Sequence, residues 1–157
     1  MPDTQHKILF VCIHNSARSQ MAEAFLKKYG GDLFTAESAG IEPGIMNQNV
    51  VAVMQEGGID LTGKPTQAVF DLFQQGRLYN AVVTVCDKEA AERCPVFPGN
   101  VKRIQWSFKD PSAFKGTKEE ILQQTREVRD EIEEKIKAFV REASQVSYWV
   151  TANEPEH

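Results

Sequence analysis

Cys12 and Arg18 frame the stretch ILFVCIHNSARSQMAEAF, with a cysteine where an apolar run ends and an arginine six residues on, where helical spacing begins. A thiolate is a strong nucleophile, and a guanidinium offers paired N–H donors that grip two oxygens of a tetrahedral oxyanion. Between them, Ile13, His14, Asn15, Ser16 and Ala17 form a loop whose backbone N–H groups can converge on one anion. The helix that follows adds unpaired N–H groups and the positive end of its dipole. Such surroundings favour thiolate over thiol at Cys12. Ser19 is placed to donate a hydrogen bond to the sulfur, and Asn15 tolerates left-handed backbone. The competing reading is structural, since cysteine often ends a strand as a small buried hydrophobe. The strand before and the helix after favour an anion-binding nucleophile.

The totals are consistent with local rather than global charge doing this work. The chain has 157 residues and a formal net charge of −4, which suits one domain and argues against a nucleic-acid partner. No apolar run approaches the ~20 residues needed to span a bilayer, and MPDTQHKILFVC lacks the plan of a secretory signal. The expected setting is cytoplasmic, with no membrane association. There, three cysteines suggest catalysis, redox chemistry or metal binding before a disulfide framework.

The elements that must position these residues alternate. KILFV reads as a strand buried on both faces, and Met21, Ala22, Phe25, Leu26 and Tyr29 recur at helical spacing before Gly30-Gly31. LFTAESAG predicts a second strand, NVVAVMQEGG and TQAVFDLFQQG two helices, NAVVTV a buried strand, and VKRIQWSF a more polar edge strand. A long helix follows, with Thr117 and Glu120 as a capping box and Ile121, Val128, Ile132, Ile136 and Phe139 on one face. The tail from Tyr148 is expected to be loosely held. Alternating strands and helices imply an α/β, doubly wound single domain with a parallel sheet flanked by helices. In such sheets ligands bind at the carboxyl ends of the strands, where Cys12 stands.

The stretch CIHNSARS resembles the C-x5-R-S loop of the low-molecular-weight tyrosine phosphatase family, which also carries it near the N-terminus. That resemblance implies a four-stranded parallel sheet, a Cys12 nucleophile, oxyanion binding by the amides of Ile13 to Ser19 with Arg18, and support from Asn15 and Ser19. It also implies that Asp110, in the Asp-Pro pair of SFKDPSAF, protonates the leaving oxygen. Taken alone, Asp-Pro is an ordinary turn signal.

Two further cysteines bear on the substrate. Cys86 ends another buried strand, so it should open on the same sheet edge as Cys12, and Cys94 follows eight residues later. Zinc binding with His14 suits neither the spacing nor the ligand count; a structural pair of thiols remains open. A relay is the sharper reading: Cys86 resolves an adduct on Cys12, then Cys94 closes a disulfide with Cys86. Were the intervening DKEAAER fully helical, the Cα atoms would lie about 12 Å apart, whereas a disulfide tolerates roughly 7 Å. The segment must therefore unwind to oxidise, leaving Cys94 exposed to a reducing partner.

With VTVC…ERCPVFPG the resemblance narrows to the thioredoxin-coupled arsenate reductases of that family. It implies arsenate as substrate, with phosphate or sulfate as mimics, a Cys86–Cys94 disulfide, and thioredoxin as reductant. The alternative is a phosphatase hydrolysing phosphomonoesters through a Cys12 phosphocysteine; a third is a thiol switch without catalysis. Some members hold a potassium ion with an asparagine, a glutamate, a serine and an aspartate. Asn15, Glu23 and Ser38 match the first three, but Gln67 falls near the expected aspartate. No tightly bound cofactor is expected, and Gln67 leaves less negative charge for a potassium ion at Asn15, Glu23 and Ser38; Lys64 nearby is a fixed positive charge in its place or a solvated surface lysine. His14 is expected to point outward.

Overall fold

The computed structural model describes residues 5–151. Four parallel strands form one sheet in the order β2-β1-β3-β4: β1 His6–Cys12, β2 Phe34–Gly40, β3 Ala81–Thr84 and β4 Lys102–Gln105. The continuous apolar run of β1 places Ile8 to Val11 fully out of solvent, as a central strand requires. β4 alternates half-buried and exposed residues at the sheet edge, in line with its polar sequence.

The register positions the chemistry. Cys12 pairs with Gly40 on β2, and Val11 pairs with Thr84 on β3. Val85 N–H then donates to the Val11 carbonyl at 2.8 Å, so Cys86 follows one residue beyond the level of Cys12. Neighbouring strands lie about 4.8 Å apart. Both cysteines therefore open on the same carboxyl edge.

Among the described residues six helices connect and cover the strands: α1 Arg18–Gly30, α2 Gln48–Glu56, α3 Val69–Gln74, α4 Lys88–Ala91, α5 Lys118–Ala143 and α6 Val146–Thr151. α5 begins with the reciprocal capping box of Thr117 and Glu120. Its Val128, Ile132, Ile136 and Phe139 are buried, with Ile121 half-buried, and it packs on α1 and α2. Among the described residues no helix is long and apolar enough to cross a membrane.

Three elements differ from the sequence reading. α3 starts only at Val69 because the residues before it run beside β2: Gly40 N–H donates to the Gln67 carbonyl at 2.8 Å, and Gly40 bridges Ala68. α4 is one turn, capped by the Asp87 side chain on the Ala90 N–H, and it gives way to turns before Cys94. The tail is not loose from Tyr148. Residues 146–151 are helical, Trp149 stacks on His6 at 4.3 Å between centroids, and its indole N–H donates to the Ala143 carbonyl at 2.7 Å. Apolar contact with a distant aromatic and one hydrogen bond offset the ordering cost there. Residues 152–157 lie outside those described.

Candidate active site

The turn from Cys12 to Arg18 curls over the end of β1. Asn15 has φ 56°, a left-handed conformation that few residues other than glycine adopt. It is held there by bonds at each of its polar side-chain atoms. Its Nδ2 donates to Ser19 Oγ at 2.8 Å and Ser38 Oγ at 3.0 Å, and its Oδ1 accepts from Gln67 N at 3.0 Å and Gln20 Nε2 at 3.2 Å. The backbone thus folds inward, and Asn15 N–H reaches Cys12 Sγ at 3.1 Å.

Cys12 Sγ also lies 2.8 Å from Ser19 Oγ. Because that hydroxyl already accepts from Asn15, its own hydrogen is free to point at the sulfur. Cys12, Asn15, Ser16, Arg18 and Ser19 are all buried. Gly40, opposite Cys12, lies tight against the loop; a Cβ there would lie 2.7 Å from the Asn15 nitrogen.

Two donor groups are left over in this buried setting. Ala17 at the N-cap of α1 has no side chain to cap the first turn, so those N–H groups are available to a ligand. Arg18, 5% exposed, donates Nη1 to the Phe108 carbonyl at 3.1 Å and sets Nη2 3.7 Å from Asp110 Oδ2, while its Nε is buried without a partner. Buried donors seldom go unpaired in native proteins. Together these donors can hold an oxyanion beside the Cys12 sulfur. Asp110 caps the short 3-10 turn at Pro111–Ala113 through Oδ1 and faces Arg18 through Oδ2, with its side chain 32% exposed. That places a partly exposed carboxyl beside the buried Arg18 guanidinium.

Cys86 is fully buried, with its carbonyl accepting from Gln105 Nε2 at 2.7 Å. Burial pushes its thiol up to about 11, with Arg18 pulling the other way and Cys12 adding to the rise. Cys94, 7% exposed, is likewise raised to about 11 by burial, against the pull of Arg103. All three cysteines are free thiols. His14 is exposed, with Nδ1 2.8 Å from the Glu42 carbonyl and its ring against Gly44. Among the described residues no three His, Cys, Asp or Glu side chains gather as a metal site.

The residues matching a potassium site are saturated from within. Glu23, 3% exposed, accepts from Lys27 at 2.5 Å on one oxygen, and from Ser38 at 2.5 Å and Lys64 at 2.9 Å on the other. Burial works to raise the Glu23 carboxyl, but these hydrogen bonds together hold it below its usual range. Gln67 Nε2 donates to the Ser38 carbonyl, removing another acceptor. A cation needs free oxygens, and two ammonium groups already take the only carboxylate here. The set does not fit potassium.

Sequence reasoning did not single out Gly40 or Gln20. Gly40 ends the strand opposite the loop, a place where a glycine signals close backbone approach. Gln20, fully buried, donates to the Asn15 carbonyl and to the Pro65 carbonyl; its helical context gives no local sign of that.

Comparisons with known proteins agree with this geometry. The family model described as low molecular weight phosphotyrosine protein phosphatase matches residues 7–147. An arsenate reductase of Bacillus licheniformis is 45% identical over 134 residues, covering 84% of this chain and 93% of the relative. One from Bacillus subtilis is 44% identical with the same coverage. Among solved structures, an arsenate reductase from Archaeoglobus fulgidus superposes with TM-score 0.69 at 31% identity, covering 86% of this chain and 99% of that one. With its loop and sheet order in place, the chain belongs to the low molecular weight phosphotyrosine protein phosphatase family.

Proposed function

We propose that this protein is an arsenate reductase that passes oxidation along three thiols to a Cys86–Cys94 disulfide, which thioredoxin reduces. The observation that carries this reading is Cys86, a buried thiol two residues past the end of the strand beside β1, at the same sheet edge as Cys12. Phosphate ester hydrolysis has no use for it. The arsenate reductases 45% and 44% identical to this chain support the substrate, as does a solved arsenate reductase in a phosphate-binding state at 26% identity and TM-score 0.67.

In the first step Cys12 attacks arsenic in the loop, and Asp110 protonates the departing oxygen, which leaves as water. In the second, the Cys86 thiolate attacks the Cys12 sulfur. The S–S bond forms as the S–As bond breaks, its electron pair stays on arsenic, and arsenite leaves. In the third, Cys94 attacks Cys86, expelling Cys12 as thiolate and closing the final disulfide. Phosphorus accepts no such electron pair, so phosphate occupies the loop without being reduced.

With thioredoxin, its reductase and NADPH, arsenate is expected to drive NADPH loss in wild type. Cys12→Ser and Cys86→Ser should show none. If NADPH loss survives Cys86→Ser, the relay is wrong; loss of p-nitrophenyl phosphate hydrolysis in Cys12→Ser alone, without arsenate turnover in wild type, indicates the phosphatase.

Two more outcomes follow from the site. Thiol exchange proceeds through thiolate, and a thiol near 11 is about one part in ten thousand ionised at pH 7. Single-turnover arsenite release should therefore rise about tenfold per pH unit between pH 7 and 9; a flat profile would place another step in control. For the cation, replacing potassium by tetramethylammonium at constant ionic strength should leave kcat unchanged. Lys64→Met, which strips a partner from buried Glu23, should lower Tm by several degrees. A strict potassium requirement in wild type contradicts this reading of the Glu23 cluster.

A further inference from the structure

The ion pair between Glu42 Oε2 and Arg93 Nη2 joins two parts of the site that are 51 residues apart in sequence. Glu42 belongs to a segment stitched to the oxyanion loop. Ile41 N–H donates to the Cys12 carbonyl at 3.0 Å, Glu42 N–H to Ile13 at 2.7 Å and Gly44 N–H to His14 at 2.9 Å. Arg93 immediately precedes Cys94.

That second part packs Ala90, Cys94 and Phe97 into the core but makes few polar links to the rest of the fold. The amide hydrogen bonds of residues 90–94 are internal: Ala90 to the Asp87 side chain, and the amides of Ala91, Glu92, Arg93 and Cys94 to carbonyls at Asp87, Lys88, Ala90 and Ala91. The segment borders a half-open groove of about 370 Å³, lined by Ala91, Cys94, Val82, Thr84 and Arg103 among others. A one-turn helix with an open groove along one side is packed on fewer sides than the long helices, so moving it costs fewer contacts. The exposed pair of Glu42 and Arg93 is then a side-chain polar tie between this segment and the stretch bonded to the oxyanion loop.

Resting on the relay reading, we infer that Glu42 and Arg93 form a latch that holds the Cys94 segment in its reduced geometry and opens as Cys94 closes onto Cys86. In that step the Cys94 thiolate, its proton given to solvent, attacks the Cys86 sulfur of a Cys12–Cys86 disulfide. The new bond is Cys86–Cys94, and Cys12 leaves with the electron pair. Glu42 and Arg93 are positioning residues; neither touches the reacting sulfurs. Because the latch favours the reduced form, it makes the dithiol harder to oxidise.

The experiment is the equilibrium of the Cys86–Cys94 couple against dithiothreitol redox buffers, paired with the rate of disulfide closure after one arsenate turnover. Glu42→Gln and Arg93→Gln should each shift the equilibrium towards disulfide by about two- to five-fold, as for an exposed ion pair. The upper figure is a potential about 20 mV more negative. Closure should quicken by a similar factor. Added salt should move wild type in the same direction and leave both variants unmoved. The double exchange Glu42→Arg with Arg93→Glu should return towards wild type, which simple loss of structure would not do. Unchanged potentials, slower closure, or no recovery in the double exchange would each overturn the latch. If instead Cys94→Ser sustains turnover, the relay itself fails, a result separate from the latch.

Discussion

Cys94→Ser is expected to release one arsenite per chain and then stop, whatever the supply of thioredoxin. Cys12 and Cys86 are 3% and 0% exposed, so a disulfide between them is beyond the reach of a protein reductant. Cys94, 7% exposed, is the one of the three that lines a groove open to solvent, two residues from exposed Val96. Its role is to carry the oxidation to where another protein can meet it. Steady turnover should fall by on the order of 100-fold or more, because access to the attacked sulfur is lost rather than thiol reactivity. Arsenite measured in quenched single-turnover samples should match wild type. Full steady turnover in this variant would mean that Cys86 is reduced directly.

Gly40→Ala should have the next largest effect, with no reacting group altered. The added methyl would lie 2.7 Å from the Asn15 nitrogen, 2.8 Å from the His14 carbonyl carbon and 2.9 Å from the Ile13 oxygen. All three are backbone atoms in the loop that must wrap the anion, so no side chain can swing aside. The loop has to move by several tenths of an ångström. That disturbs the bond from Asn15 N–H to the Cys12 sulfur and the convergence of the amides. A misplacement approaching 1 Å costs about 100-fold in rate. Arsenate reduction and p-nitrophenyl phosphate hydrolysis should fall together, with the helical circular dichroism unchanged. If only reduction falls, Gly40 acts on the later thiols instead.

The parts of this molecule legible in the sequence are those written in short range. β1 announces itself as an unbroken apolar run, α5 by its Thr117–Glu120 box and 3.6-residue stripe, and the anion loop by a cysteine and an arginine at fixed separation between strand and helix. What escaped is set by contacts between distant segments. The full constraint on Gly40 comes from a loop 25 residues earlier; the helix at 146–151 from His6 and Ala143; the short α3 from residues 66–68 running beside β2. DKEAAER has helix-forming composition, yet Asp87 caps one turn and the chain turns again before Cys94. The Glu23 cluster was half legible. The sequence marks the missing aspartate at Gln67, but only the fold brings Lys64 to within 2.9 Å of the carboxylate.

The central claim is that oxidation enters at Cys12 and ends between Cys86 and Cys94. The most direct measurement is a single turnover of fully reduced protein with arsenate and no external reductant, followed by alkylation and peptide mass spectrometry. The account predicts one arsenite per chain, an alkylated Cys12, and a disulfide-linked peptide joining Cys86 to Cys94. Three alkylated cysteines with no arsenite formed would contradict it, leaving the loop as that of a phosphatase.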